Sequence, residues 1–197
     1  MGAYTKEAER IVEESYRIVE RFVKGNTPED FVLKRCIIAT GDPSVKDIIV
    51  FRNDPVKAGV KAIRDGKEII ADVSMVKAGI RWSNVVVAVE HSEGAKELGI
   101  TRTAMGFYNL RDRIAGSIIA IGNSPSATLA VYDLFKKGYK PALIVATPVG
   151  FVNASKSKEM VRCLEVPSIT TIGSRGGSAL CVAIVNSMID LAHERSY

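Results

Sequence analysis

A few short stretches hold the side chains that could do chemistry. Gly173-Ser174-Arg175-Gly176-Gly177-Ser178 is a glycine-rich loop with one guanidinium. Its bare N–H groups suit a carboxylate or phosphate at a helix N-terminus, and the same glycines equally suit a tight turn. Thr101-Arg102-Thr103 places an arginine where a helix should begin. There it can clamp a carboxylate or simply meet water beside a capping threonine. Asp72 closes an apolar run, where an acid either faces a ligand crevice or caps the helix that starts near Ser74. His91 follows another such run; a lone histidine is more often a surface or capping residue than a catalyst. Arg35 lies among apolar helix neighbours, which favours an internal salt bridge. No G-x-G-x-x-G follows a strand and no G-x-x-x-x-G-K-[ST] occurs, so the usual dinucleotide and triphosphate cradles are unsupported. What is left is a set of arginine-lined loops suited to a polycarboxylate or phosphate.

These loops need a scaffold, and the stretch from Gly116 to Phe151 supplies its central unit. Gly116–Gly122 reads as a short buried strand. Ser124-Pro125 caps and opens a helix that stops at Gly138, and Pro141–Ala146 is the next strand. This is one βαβ unit with a right-handed crossover. Around it the pattern predicts helices at 4–24 and from Pro28 to Gly41, and a first strand at Asp47–Phe51. A helix from Pro55 to Ile63, a strand at Glu68–Asp72 and a short helix at Ser74–Ala78 come next. Then come a strand at Val85–Val89, a helix at His91–Leu98 and another at Thr103–Arg113. The chain closes with a helix at Ser155–Leu164, a strand at Ser168–Ile172 and a helix at 177–194. Alternating strands and helices predict one α/β domain over residues 1–197, a doubly wound, mainly parallel sheet with helices ahead of it.

Composition narrows the function classes. The chain has 197 residues, 47% of them hydrophobic, and a formal charge of +5. That charge mildly favours an anionic ligand. No apolar run reaches the roughly 18 residues of a membrane span, and the N-terminus lacks a signal-peptide core. Lys6 stands where a myristoylation motif beginning at Gly2 wants Ser or Thr. A cytoplasmic protein is the expectation. Aromatic residues are not interleaved with basic ones, which argues against nucleic acid. Cys36, Cys163 and Cys181 each sit in apolar context, predicting core packing, and with only His91 and His193 no metal-site spacing occurs.

The longer words of the sequence resemble a known family. SIIAIGNSPSA, ALIVATPVGFVNASKSKE, the GGSA after Arg175, GITRTA and DIIVFRNDPVKAGVKAIRDGKEIIADVSMVKAGI are similar, in colinear order from about Ser15 to Asn186, to the precorrin-8X methylmutases of cobalamin biosynthesis. The resemblance implies a flavodoxin-like three-layer α/β/α fold and a homodimer with its sites near the subunit interface. It implies an isomerase that moves a methyl group from C-11 to C-12 of precorrin-8X or cobalt-precorrin-8, described as a [1,5]-sigmatropic shift. No cofactor and no metal are expected, and the substrate is a tetrapyrrole polycarboxylate. Carried over position by position, the site comprises Ser15, Arg35, Asp72, Met75, Arg102, Asn123, Gly150, Phe151, Ser155, Arg175, Gly176 and Gly177.

One position departs from the pattern. The family helix ends in Arg-x-Ile/Val-His-Ala-x-Gly, whose histidine exchanges the proton, and here the stretch is Arg35-Cys36-Ile37-Ile38-Ala39-Thr40-Gly41. Ile38 cannot exchange a proton, so a contribution typically around 10²–10⁴-fold must come from elsewhere or be absent. His91 is the candidate substitute and Arg102 the other catalytic candidate. A corrinoid-binding paralogue without turnover is the alternative. A flavodoxin-like protein repurposed for a nucleotide is opposed by the missing phosphate loop.

Overall fold

The computed structural model describes residues 5–193. The readings at Met1-Gly2 and Tyr4, and the helix end at Glu194, lie outside them. Three apolar tetrads and triads make the centre of the sheet: β2 (Ile69–Ala71), β4 (Ile118–Ile121) and β5 (Leu143–Ala146), every residue fully buried. Burial on both faces is why these strands read as continuous hydrophobic runs. Ile69, Ala71, Ile118, Ala120, Leu143 and Val145 enter one core, whereas Ile70, Ile119, Ile121, Ile144 and Ala146 enter the other. That is the period-two alternation of a strand, used here to feed two cores.

β1 (Ile49–Arg52), β3 (Val85–Val87) and β6 (Ser168–Thr171) complete a six-stranded sheet of order β1-β6-β5-β4-β2-β3. Five strands are parallel, and their order without β1 is the flavodoxin-like one. β1 pairs antiparallel with β6, Ile49 opposite Thr171 and Arg52 opposite Ser168. A strand's direction leaves no mark on its composition, so the sequence gives no sign of this reversal.

Helices α2 (Pro28–Thr40), α3 (Pro55–Arg64), α4 (Ser74–Gly79) and α8 (Ser178–Ala192) cover the first face, and α5 (Arg102–Asn109), α6 (Pro125–Lys136) and α7 (Ala154–Arg162) the second. α1 (Lys6–Val19) lies outside, against α2. The capping signals work as chemistry requires. Thr27 and Asp30 form a capping box, and Thr101 and Ser124 accept the N–H groups of Ala104 and Ala127. Each such cap contributes about 1 kcal/mol.

Two expectations are corrected. Residues 91–98 are not a helix but a run of turns: Gly94 and Gly99 take φ of 84° and 64°, and Leu98 is 66% exposed. Only Ala95 of that segment is buried, so no apolar face holds a helix there. Cys163 is exposed at the end of α7, while Cys36 and Cys181 are buried in the core as expected. Burial pushes the Cys36 thiol up to about 12 and raises Cys181 as well, which leaves both inert.

Candidate active site at the carboxyl edge of the sheet

The five parallel strands end on one edge. β1 runs the other way and brings its amino end there too, where the Ile172 N–H donates to the Ile48 carbonyl at 2.8 Å. Strand order reverses between β2 and β4, and in open α/β sheets the ligand crevice lies outside that point.

Asp72 sits at the reversal, fully buried. Its carboxylate accepts the Gly122 N–H at 3.2 Å and those of Asn123 and Ser124 at 2.8 Å each. Burial raises its pKa against the pull of these donors. Asp72 therefore neither faces the crevice nor caps α4, whose N-cap Val73 makes no side-chain bond; it is a strut under the loop that presents the exposed Asn123. A Cβ on Gly122 would lie 2.7 Å from the Ser178 Cα, so glycine lets α8 begin directly against β4.

A chain of hydroxyls joins the amino ends of α5 and α6. Thr103 meets Ser124 at 2.7 Å, Ser124 meets Ser126 at 2.9 Å, and Ser126 meets Thr101 at 2.6 Å. None of the four was singled out for chemistry from sequence beyond capping. Arg102, exposed at the first turn of α5, donates Nε to Ser92 Oγ at 3.2 Å and Nη2 to the Val89 carbonyl at 3.3 Å. Its guanidinium is thus fixed beside a helix N-terminus, a setting that favours a carboxylate. His91 is half-buried nearby, its carbonyl accepting from Asn109 of α5 at 2.8 Å. Arg102 thus bonds the segment that holds His91, on the α5 side of the sheet. Ile38 packs with the opposite core, so His91 does not stand in its place.

The loops after β5 and β6 are tied to each other. Thr147 accepts the Gly177 N–H at 2.6 Å and donates its hydroxyl to the Gly177 carbonyl at 3.1 Å, and the Gly150 N–H donates to Ser174 at 3.0 Å. A Cβ on Gly176 would fall 2.1 Å from the Thr147 carbonyl oxygen, which is why the chain needs glycine there. Lys158 locks the arrangement. Its fully buried ammonium donates to the Pro148 carbonyl at 3.1 Å and to Thr171 Oγ1 and the Arg175 carbonyl at 2.9 Å each. Burial pushes it down to about 8. Sequence reasoning places Lys158 on the helix from Ser155 to Leu164 and does not single it out. The signal was its spacing, because Ala154, Ser157, Lys158 and Val161 fall at i, i+3, i+4 and i+7 and all are buried.

The remaining site residues are dispersed along this edge. Arg175 pairs with Asp42 and donates to Ser44 Oγ at 3.0 Å. The Ser44 hydroxyl and N–H, with Arg175 beside them, hold the Asp42 carboxyl below its usual range. Ser155 spends its hydroxyl on Glu159 within α7, at 2.8 Å. Ser15 donates to the Ile11 carbonyl at 2.7 Å and shares with Ile38, Phe22 and Pro43 an apolar depression of about 230 Å³ between α1 and α2. Arg35 is buried deeper on α2, 3.3 Å from Asp190. Met75 and Phe151, 72% and 96% exposed, and the exposed Val149 and Ile172 are apolar side chains that follow the carboxyl ends of β2, β5 and β6. Among the described residues no three His, Cys, Asp or Glu side chains converge as a metal site, and no helix is long and apolar enough to cross a membrane.

Comparison with known proteins gives this edge a family. Residues 10–191 match the CbiC family, described as precorrin-8X methylmutase. The chain is 42% identical to the cobalt-precorrin-8 methylmutase of Methanocaldococcus jannaschii over 98% of each protein. It is 50% identical to the cobalamin biosynthesis protein CbiHC of Archaeoglobus fulgidus, over 98% of this chain but only 42% of that longer protein. The solved precorrin-8x methyl mutase of Thermus thermophilus superposes with a TM-score of 0.86 at 33% identity, covering 95% of this chain and 99% of that one. A family match over nearly the whole length, and a shared fold at this identity, make the chain a member of the precorrin-8X methylmutase family.

Proposed function

We propose that the chain isomerises precorrin-8X or cobalt-precorrin-8 by moving the C-11 methyl group to C-12, as a homodimer in the cytoplasm. The observation that carries this reading is the pairing, on one sheet edge, of exposed apolar side chains with the fixed Arg102 guanidinium and the exposed Asn123. A tetrapyrrole has apolar ring faces and several carboxylate arms, and the two sets of groups answer those two features. Arg102 would clamp one arm at the α5 N-terminus, and Asn123, presented by Asp72, would meet the ring or another arm. Met75 and Phe151 would lie along a ring face, and a second copy would cover what apolar surface the substrate leaves open.

The reaction itself needs the ring held in a reactive shape more than it needs a covalent partner. Holding the reacting atoms in a near-attack geometry removes part of the barrier. The tied loops after β5 and β6 serve that purpose, because Lys158, Thr147 and Gly176 leave them little freedom. Ile38 supplies no proton, and it favours a second reading in which the chain binds a corrinoid without turning it over.

The test mixes the purified protein with precorrin-8X or its cobalt form, follows the visible spectrum and identifies the released pigment. Conversion to the methyl-shifted corrin supports the isomerase. A shifted spectrum with unchanged pigment supports the binding paralogue, and an unchanged spectrum refutes both.

A further inference from the structure

We infer that a groove between α2, α4 and α8 is a carboxylate-binding subsite built around Arg35. The cavity measures about 390 Å³ and is walled by Ile38, Ala39, Ala179 and Ala183, with Arg35 and Arg81 at its floor. The roughly 30 Å³ that a water molecule occupies in the liquid is small beside that volume.

The charge balance of the floor is uneven. Among the described residues Asp190, only 1% exposed, is the single acid there for two guanidiniums. Arg81 takes both of its oxygens through Nη2, at 2.7 and 2.8 Å. Arg35 is left with an ionic contact of 3.3 Å and, among the described residues, makes no hydrogen bond. Its side chain is nine-tenths buried. None of its nitrogens is both buried and unpartnered, so the donors that Asp190 leaves free open on the groove, where an anion can take them. A carboxylate entering the groove would accept from the Arg35 fork and leave the floor neutral, two cations against two anions.

The surroundings keep that arrangement rigid. Asn186 accepts the Arg81 N–H at 2.9 Å and donates to the Gly79 carbonyl at 2.8 Å, which fixes the Arg81 backbone to α8 and to the end of α4. The small side chains of Ala39, Ala179 and Ala183 leave room for the ligand without any rearrangement. Ile38 stands at the boundary between this groove and the apolar depression that holds Ser15, so an anion in the groove sits beside the position where the family pattern has histidine. A carboxylate could come from an arm of the tetrapyrrole or from a free small acid. The first source rests on the function proposed above; the chemistry of the subsite does not.

Acetate is the probe. Its titration into the intact protein, followed by amide chemical shifts of Ala39, Ala183 and Arg35, should give a saturable curve. Arg35→Met should weaken that binding about tenfold or more, the worth of a lost charge-assisted bond, and Arg35→Lys should restore part of it. Ala179→Leu, at an exposed position, narrows the groove without touching the ion network and should weaken acetate as well, which covers the case in which Arg35→Met fails to fold. Competition with the tetrapyrrole assigns the site to a substrate arm, and independent binding assigns it to a free acid. A non-saturable titration, or curves identical in wild type, Arg35→Met and Ala179→Leu, would overturn the subsite. If acetate binds this way and no corrinoid does, the subsite stands and the proposed function falls.

Discussion

Replacing Lys158 by methionine tests whether the two loops that shape the crevice depend on one buried charge. The ammonium makes three hydrogen bonds to two loops and to the end of β6. Charge-assisted bonds contribute roughly 1.5–3 kcal/mol each, about 4.5–9 kcal/mol in all. Against this stands the cost of keeping the group charged in the interior. A fall from 10.5 to about 8 corresponds to about 3 kcal/mol at neutral pH. Methionine removes both, so the variant should be less stable by roughly 1–6 kcal/mol, with the orphaned Pro148 carbonyl setting the floor. The pH dependence is the sharper test. The folded state releases the lysine proton near pH 8 and the unfolded state near 10.5, so between these values the unfolded chain binds more protons. Wild-type stability must then rise relative to Lys158→Met by up to about 1.4 kcal/mol per pH unit. Urea unfolding of both proteins from pH 7 to 10 measures the difference, in which the other titrating groups cancel. A difference that stays flat across that range would show that the ammonium is not held down by burial. A variant as stable as wild type at pH 7 would show that the three bonds do not hold the loops.

Other perturbations probe the remaining parts of the edge. Asp72→Asn should cost about 1.5–3 kcal/mol in thermal or urea unfolding, because an amide cannot accept from Gly122, Asn123 and Ser124 as a carboxylate does; an unchanged midpoint would remove its role as a strut. Arg102→Ala should weaken corrinoid binding about tenfold in a spectroscopic titration, the value of one charge-assisted bond, and unchanged affinity would remove Arg102 from the site. Ile38→His should raise methylmutase turnover, toward the 10²–10⁴-fold typical of a placed acid–base group. No change would mean that proton exchange at that position does not limit the rate.

Much of this architecture was readable because local chemistry and global fold agree. The β4–α6–β5 unit follows from an isoleucine run, a Ser-Pro cap and a terminal glycine, and each signal has the role that its chemistry suggests. The segment after His91 misled because Ala95 and Leu98 imitate one helical turn, while the two glycines with positive φ dictate another path. The site was half legible. Arg102 could be placed at a helix start from Thr101 alone. That Asp72 turns inward to a loop fifty residues away could not be read, since its partners are backbone groups with no sequence identity. Lys158 shows the same limit. A lysine between a serine and a glutamate looks solvated, and only the helical spacing of its buried neighbours betrays it.

The pairing of β1 with β6 has a consequence for how the polypeptide is made. Ile49 has no strand partner until Thr171 exists, and α2 packs chiefly on α8, which is synthesised later still. On the ribosome, α2 and β1 must therefore wait for these partners while the strands and helices between them emerge. Arg35 and Ile38 both lie on that waiting helix. A translation product truncated before β6 would carry these residues and still lack α8, which walls the groove beside Arg35 and Ile38.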